Sequence, residues 1–304
     1  MNRLQRWLGE TVVAHAGWEM GLMRLLFAWL VWRLLPVEVV YVAQPVPNGW
    51  GHWIDFTFLA DAEVWRLLRW GAGIALLFYV VGAAPVLSLG WPALLLTAFG
   101  TLENSQGAIG HHLQLTCMVA LAQWIVYLTK VRQGMLKMLW PSLTDHQLAV
   151  HWAKLVIVAG YVTSACVKLI ASGGLWLVQL PDISLQLIKT HANVYYDTLR
   201  PAEGWVATKL PYFISEHPNL TRLFFAPGLV LELIAFVALA GRGKAFLLGA
   251  GLLVMHWLVR AVMNLSFGSH EWLLIIFLLN LPYWASRAFE AVKSGFVARA
   301  SSEV

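Results

Sequence analysis

The amino-acid sequence predicts an all-α protein: a polytopic bundle of about eight membrane-spanning helices forming a single membrane domain over residues 1–304. Three observations predict it. Hydrophobic residues make up 59% of the chain and charged residues only 12%, about half the charged share of an ordinary soluble domain. The apolar residues gather in runs of about 20, the length that crosses a hydrocarbon core. The 17 Trp are many for this length, as expected where the indole body lies in lipid and its N–H stays wet at the interface. Lys and Arg are scattered between the runs and form no block, so the net charge of +5 argues for topology and against a nucleic-acid partner.

The elements follow in order. Residues 1–17 read as a short amphipathic surface helix, without the cleavage site of a secretory signal. The first span is expected at about Trp18–Val40, interrupted by Arg24 and Arg33, and a Pro-, Gly- and Trp-rich loop follows from Gln44 to Asp61. Spans two to five are expected near Trp65–Gly82, Pro85–Gly100, Gly110–Thr129 and Leu148–Ala171. A long extracytoplasmic excursion, 173–225, holds scattered charges and prolines and predicts short interfacial helices. Spans six to eight fall near Pro227–Ala240, Lys244–Leu265 and Glu271–Ala288, and 289–304 is a polar tail.

Loop charge sets the expected orientation, with both termini cytoplasmic. The loops placed inside carry Lys130, Arg132, Lys137, Arg242 and Lys244, with Arg3, Arg6, Arg287, Lys293 and Arg299 near the ends. The opposite short loops, 44–61, 103–108 and 266–269, carry no Lys or Arg. For a bacterial source, the membrane is the cytoplasmic (inner) one.

Ionisable side chains in spans usually face the bundle interior or a wet cavity. In the fifth span Tyr161, Ser164, Lys168 and Ser172 share a face, and in the seventh His256, Arg260 and Asn264 do. The fourth aligns His112, Thr116 and Gln123, with His111 beside them. The sixth carries Glu232, and the eighth opens with His270 and Glu271. The orientation puts Lys168, Arg260, Asn264, His111, His112, Glu232, His270 and Glu271 in the outer half of the bilayer. Each also has a plainer reading. Lys168 can snorkel to the headgroups. Arg260 can pair with Glu232, His256 can bond a neighbouring hydroxyl, and His111 and His112 can cap a helix. Cys117 and Cys166 lie in apolar runs and read as small buried residues. The histidines lack metal-ligand spacing, so no metal is expected, and no nucleotide-binding, GxSxG or CxxC motif occurs.

Three runs carry a resemblance: YVTSACVKLIASGGLW (Tyr161–Trp176), FFAPGLVLEL (Phe224–Leu233) and VMHWLVRAVMNLSFGSHEWLL (Val254–Leu274). Together they resemble the transmembrane domain of the vitamin K-dependent gamma-carboxylases and of their bacterial relatives, the HTTM-domain proteins. The likeness is diffuse and covers about 110–283. Its most specific feature is a Lys-Leu pair ending a span with a Trp shortly after. In the carboxylases a lysine here deprotonates vitamin K hydroquinone. The strong base formed from that quinol and oxygen then takes a proton from glutamate, which adds carbon dioxide. The resemblance therefore implies Lys168 as base, His256 as a site histidine, and a quinone or hydroquinone as ligand. Two departures stand against protein carboxylation. Val167 occupies the position of the carboxylases' second lysine, and the sequence ends soon after the eighth span, short of their large lumenal domain.

The resemblance and the convergent polar residues give one expectation, an enzyme acting on a lipophilic quinol-like substrate at the outer leaflet. Lys168 and His256 would be catalytic. His111, His112, Tyr161, Ser164, Glu232, Arg260, Asn264 and His270 would bind the substrate. A second expectation is a non-catalytic subunit that anchors an extracytoplasmic redox or secretion partner, with Trp50, Trp53 and the excursion as its docking surface. A transporter would call for inverted repeats or broken helices in matching halves, and the sequence displays neither.

Overall fold

The structure is a computed structural model that describes residues 14–41, 44, 46–105, 107, 111–201 and 203–289. Among these residues the chain is helical throughout, with no strand. The helix expected for 1–17 lies, apart from its last residues, outside the described part, as does the 289–304 tail beyond Phe289.

Among the described residues up to Leu273, the α-helices of six residues or more are α1 (Gly17–Leu34), α2 (Ala62–Val81), α3 (Gly90–Asn104), α4 (Gln114–Leu128), α5 (Leu143–Ala171), α6 (Ile183–Thr198), α7 (Leu210–Glu216), α8 (Pro218–Leu233), α9 (Arg242–Met263) and α10 (Gly268–Leu273). A π-helical turn, Leu274–Leu279, continues α10. After Asn280 the chain resumes as α11, Leu281–Phe289, bent by 42°.

Among the described residues, five segments are long and apolar enough to cross a membrane: Ala62–Val81, Pro85–Asn104, Gln114–Gln133, Leu143–Ala171 and Arg242–Met263. The bent pair that ends in α11 makes a sixth. Two expected runs fall short of that standard. The first, 18–40, ends as a helix at Leu34 and carries Glu19, Arg24 and Arg33. The second, 227–240, is no single helix. Pro227 sits inside α8, and after Ile234 the chain tightens into a 3-10 helix, Ala235–Ala240. The chain thus has broken helices that its composition did not announce.

Local chemistry places the ends. Asp61 accepts the N–H groups of Glu63 and Val64, each at 3.0 Å, and so caps α2. Gly82, in the left-handed region, ends α2, and Pro85 opens the next turn.

Contacts divide the chain into two units, Met1–Ile157 with Trp272–Val304, and Val158–Glu271. In the first, α1 to α4 pack around Met20, Phe27, Trp65, Tyr79 and Tyr127, all nearly inaccessible. Phe27 meets Phe277 edge-on at 5.5 Å, tying the closing π turn to α1. In the second, α5 from Val158 onward meets α8 through Lys168–Glu232 and α9 through Tyr161–His256, and α6 packs with α7 and α9. The excursion is built of short helical pieces around the longer α6.

Candidate functional site

The polar residues predicted on α5, α8 and α9 meet within the second unit. Tyr161 and His256 are both buried, with the phenol oxygen 2.7 Å from Nε2 of the imidazole. Phe267 packs on the same imidazole at 4.9 Å between ring centroids, and His270 lies at 6.1 Å. Nδ1 of His256 is buried with no hydrogen-bond partner among the described residues. If Tyr161 donates, Nδ1 carries the proton and is a donor; if Tyr161 accepts, Nδ1 is an acceptor. In both cases the imidazole offers one hydrogen-bonding edge inside an aromatic wall.

Two turns along α5, Lys168 donates to both carboxylate oxygens of Glu232, at 2.7 and 2.6 Å. The Glu232 side chain is 7% exposed and that of Lys168 35%. The ammonium also sits 5.7 Å from the centre of the Trp176 ring. The local sequence explains this approach. Gly173 and Gly174 both take positive φ, and the Gly174 N–H reaches back to the Leu169 carbonyl at 2.7 Å. That glycine cap turns the chain and returns Trp176 to Lys168.

Arg260 bonds Glu271 at 2.5 Å and Ser266 at 3.3 Å. Asn264 does not extend the His256–Arg260 face. It takes φ 52 and caps α9 with its N–H on the Arg260 carbonyl, turning residues 266–271 back toward the arginine. Helical spacing located the faces, but it did not give the pairs. Glu232 belongs to Lys168 and Arg260 to Glu271, in place of the expected Arg260–Glu232 pair. His256 has the hydroxyl partner that its plainer reading expected.

Ser164 is half-buried on α5, one turn from Tyr161, and Ser172 bonds the Leu169 carbonyl of its own helix. His270 lies within 3.3 Å of Ser269 Oγ. His111 and His112 belong to the first unit, where they lie against Gln114 at 3.0 Å and Glu103 at 3.6 Å. Cys117 is buried as expected, but Cys166 is exposed, because it lies on the opposite side of α5 from its packed face. Among the described residues no group of three His, Cys, Asp or Glu side chains is placed to hold a metal ion.

The sequence reading passed over a buried group in the first unit. Lys154 lies 3.3 Å from His15 Nε2, and His15 Nδ1 lies 3.1 Å from Glu19. All three residues are less than a tenth exposed. The signal was present, since Lys154 is a cation within an apolar run and His15 and Glu19 are four residues apart. Tyr127 with His146, 2.8 Å apart, and Tyr79 with Gln123, 2.9 Å apart, add buried polar links in the same unit.

No protein-family model, curated protein or solved structure matches this chain.

Proposed function

We propose that the chain is an eight-span membrane protein with both termini cytoplasmic, and that its α5–α8–α9 site acts on a lipophilic quinol-like substrate reached from the outer leaflet. Lys168 is the base. The observation that carries this reading is the Lys168–Glu232 contact beside the Tyr161–His256 pair. Acid, base and aromatic surface stand together, as a phenolic substrate requires.

The proton follows a short path. Transfer from the Lys168 ammonium to the Glu232 carboxylate turns an ion pair into a neutral amine and a neutral acid. Because Glu232 is only 7% exposed, that exchange relieves a buried carboxylate of its charge. The amine then takes the phenolic proton of the quinol, which becomes an anion while Glu232 keeps the first proton. Arg260 is anchored by Glu271 and has further N–H donors for that anion. The free edge of His256 holds the second oxygen of the ring.

The test is mass spectrometry of the gently purified protein for bound lipophilic molecules and for accompanying chains. Wild type should retain a quinone, and Lys168→Met should lose it. The double variant Lys168→Met/Glu232→Met separates site from scaffold, because replacing both partners leaves no unpaired buried charge. It should accumulate normally and still lack the quinone. Retention of a quinone by the double variant would remove Lys168 from the site.

A second reading has its own observation. Trp50 and Trp53 are 71% and 81% exposed, and Tyr196 and Leu199 on the excursion are 75% and 77% exposed. Either patch, each within its own unit, suits an extracytoplasmic partner protein, with the chain as its anchor. A stoichiometric partner with no bound small molecule, unaffected by Lys168→Met, would favour this anchor role over the enzyme.

A further inference from the structure

Within the first unit, and made of other residues than the site above, lies a cavity of about 440 Å³ between α3 and α4, under residues 48–50. Its volume is that of an ordinary small-molecule pocket. It runs along the helices. Its lining on α4 extends from Gln114 to Leu121, seven residue steps that rise about 10 Å.

Apart from Asn104 at the end of α3, the walls are apolar in a way that composition conceals. Thr97 and Thr101 face the cavity, but their hydroxyls donate to the carbonyls of Ala93 and Thr97, at 2.7 and 2.8 Å. They therefore present methyl groups, beside Leu121 and Met118. Among the described residues, no Lys, Arg, His, Asp or Glu lines the cavity. A charged ligand head would be buried there without a counter-charge, at high cost.

The mouth is polar and neutral. Asn48 donates its amide N–H to the Gly107 carbonyl at 3.2 Å, which leaves its side-chain oxygen as an acceptor. Gln114 offers its side-chain oxygen to His111 Nδ1 at 3.0 Å, which leaves its NH₂ as a donor. One acceptor and one donor in the lining of the same cavity match a hydroxyl, which both gives and takes a hydrogen bond. The roof is fixed in place. Asn48 N–H bonds the Ser105 carbonyl at 3.2 Å, and Gly51 lies so close to Ser105 that a Cβ would overlap it.

We propose that this cavity binds an uncharged lipid with a hydroxyl head, of the monoacylglycerol or long-chain alcohol class. The head sits between Asn48 and Gln114, and the chain runs along α4 toward Leu121.

The test uses the full chain in phosphatidylcholine vesicles, with a monoacylglycerol that carries a diazirine near the end of its acyl chain. Photolabelled peptides are mapped by mass spectrometry. Label should concentrate around Cys117–Leu121, and excess unlabelled monoacylglycerol should displace it where excess phosphatidylglycerol does not. Leu121→Trp, which fills the cavity, should lower that label at least about fivefold. Gln114→Leu removes one rim hydrogen bond and should weaken displacement by monoacylglycerol about fivefold. It sits at the rim, so it carries the test should the filled variant fail to fold. Label spread evenly over the lipid-facing helices, or displaced equally by phosphatidylglycerol, would mean that ordinary bilayer lipid fills the space and would overturn the proposal.

Discussion

Glu232 and Glu19 are both buried carboxylates, yet they answer to different partners and should respond differently to mutation. Glu232 holds Lys168, whose side chain keeps about a third of its surface exposed. Glu232→Gln leaves an ammonium that can still turn toward water, so the loss should be about 2 kcal/mol, below the range for a fully buried pair. Glu19 has no such escape, because it is 2% exposed beside His15, and Lys154→Met takes the ammonium away from that pair. Lys154→Met should cost about 3–5 kcal/mol, and thermal unfolding in one detergent would rank the two variants. A larger loss for Glu232→Gln would mean that Lys168 is anchored by more than its carboxylate. Tyr161→Phe removes the 2.7 Å bond to His256 and leaves a second imidazole nitrogen unpaired, for about 1–3 kcal/mol. The sequence allowed Tyr161 and Lys168 to be set on one face, because seven residues are two helical turns. It did not allow Glu232 to be assigned to Lys168, because the i, i+4 rule speaks of neighbours on one helix and is silent about the helix across the gap. Lys154 was legible by the same rule that found Lys168, but His15 reaches it from just before α1, far away in the chain.

At the scale of elements, hydropathy served well where a run is one uninterrupted helix and poorly where the backbone changes type. α2, α4, α5 and α9 lie close to their expected runs. The 227–240 run looked like a span because its residues are apolar, but hydropathy carries no trace of the switch from α to 3-10 winding after Ile234. The π turn Leu274–Leu279, which Asn280 ends at φ 45, was equally hidden. Packing within an element pair offers a sharper test. Gly90 on α3 lies under the Trp124 indole of α4, where a Cβ would overlap the ring. Trp124 is held there by its N–H bond to the Val86 carbonyl at 2.8 Å. Gly90→Ala should therefore cost about 1–3 kcal/mol by overpacking, and Trp124→Leu in the same background should recover part of it. Gly17→Ala is the control, since nothing lies near its Cβ. Equal stability of the two alanine variants would show that α3 and α4 can part at no cost.

The side on which each end of α9 emerges decides how the whole molecule works, and it turns on the stretch from Pro227 to Ala240. That stretch has seven α-helical residues and six in a 3-10 helix, for a reach of about 22 Å at 1.5 and 2.0 Å per residue. This is shorter than a hydrocarbon core of about 30 Å, so a crossing here requires local thinning or help from neighbouring helices. Depth is consistent with a crossing. Lys168 lies three residues before the end of α5 and Glu232 five residues past Pro227, so both sit about 5–8 Å below the same face. Single cysteines at Gln133, Arg200, Gly243 and Ser266, in a background lacking Cys117 and Cys166, would read the topology with an impermeant maleimide. With eight spans, Gln133 and Gly243 label from one side and Arg200 and Ser266 from the other. If 227–240 instead dips and returns, Gly243 labels together with Arg200, and Ser266 moves to the side of Gln133. The Arg260–Glu271 pair would then open to the face opposite Lys168. An anion formed at Lys168 would lose Arg260 as its counter-charge, and the quinol chemistry would have to be given up in favour of an anchoring role.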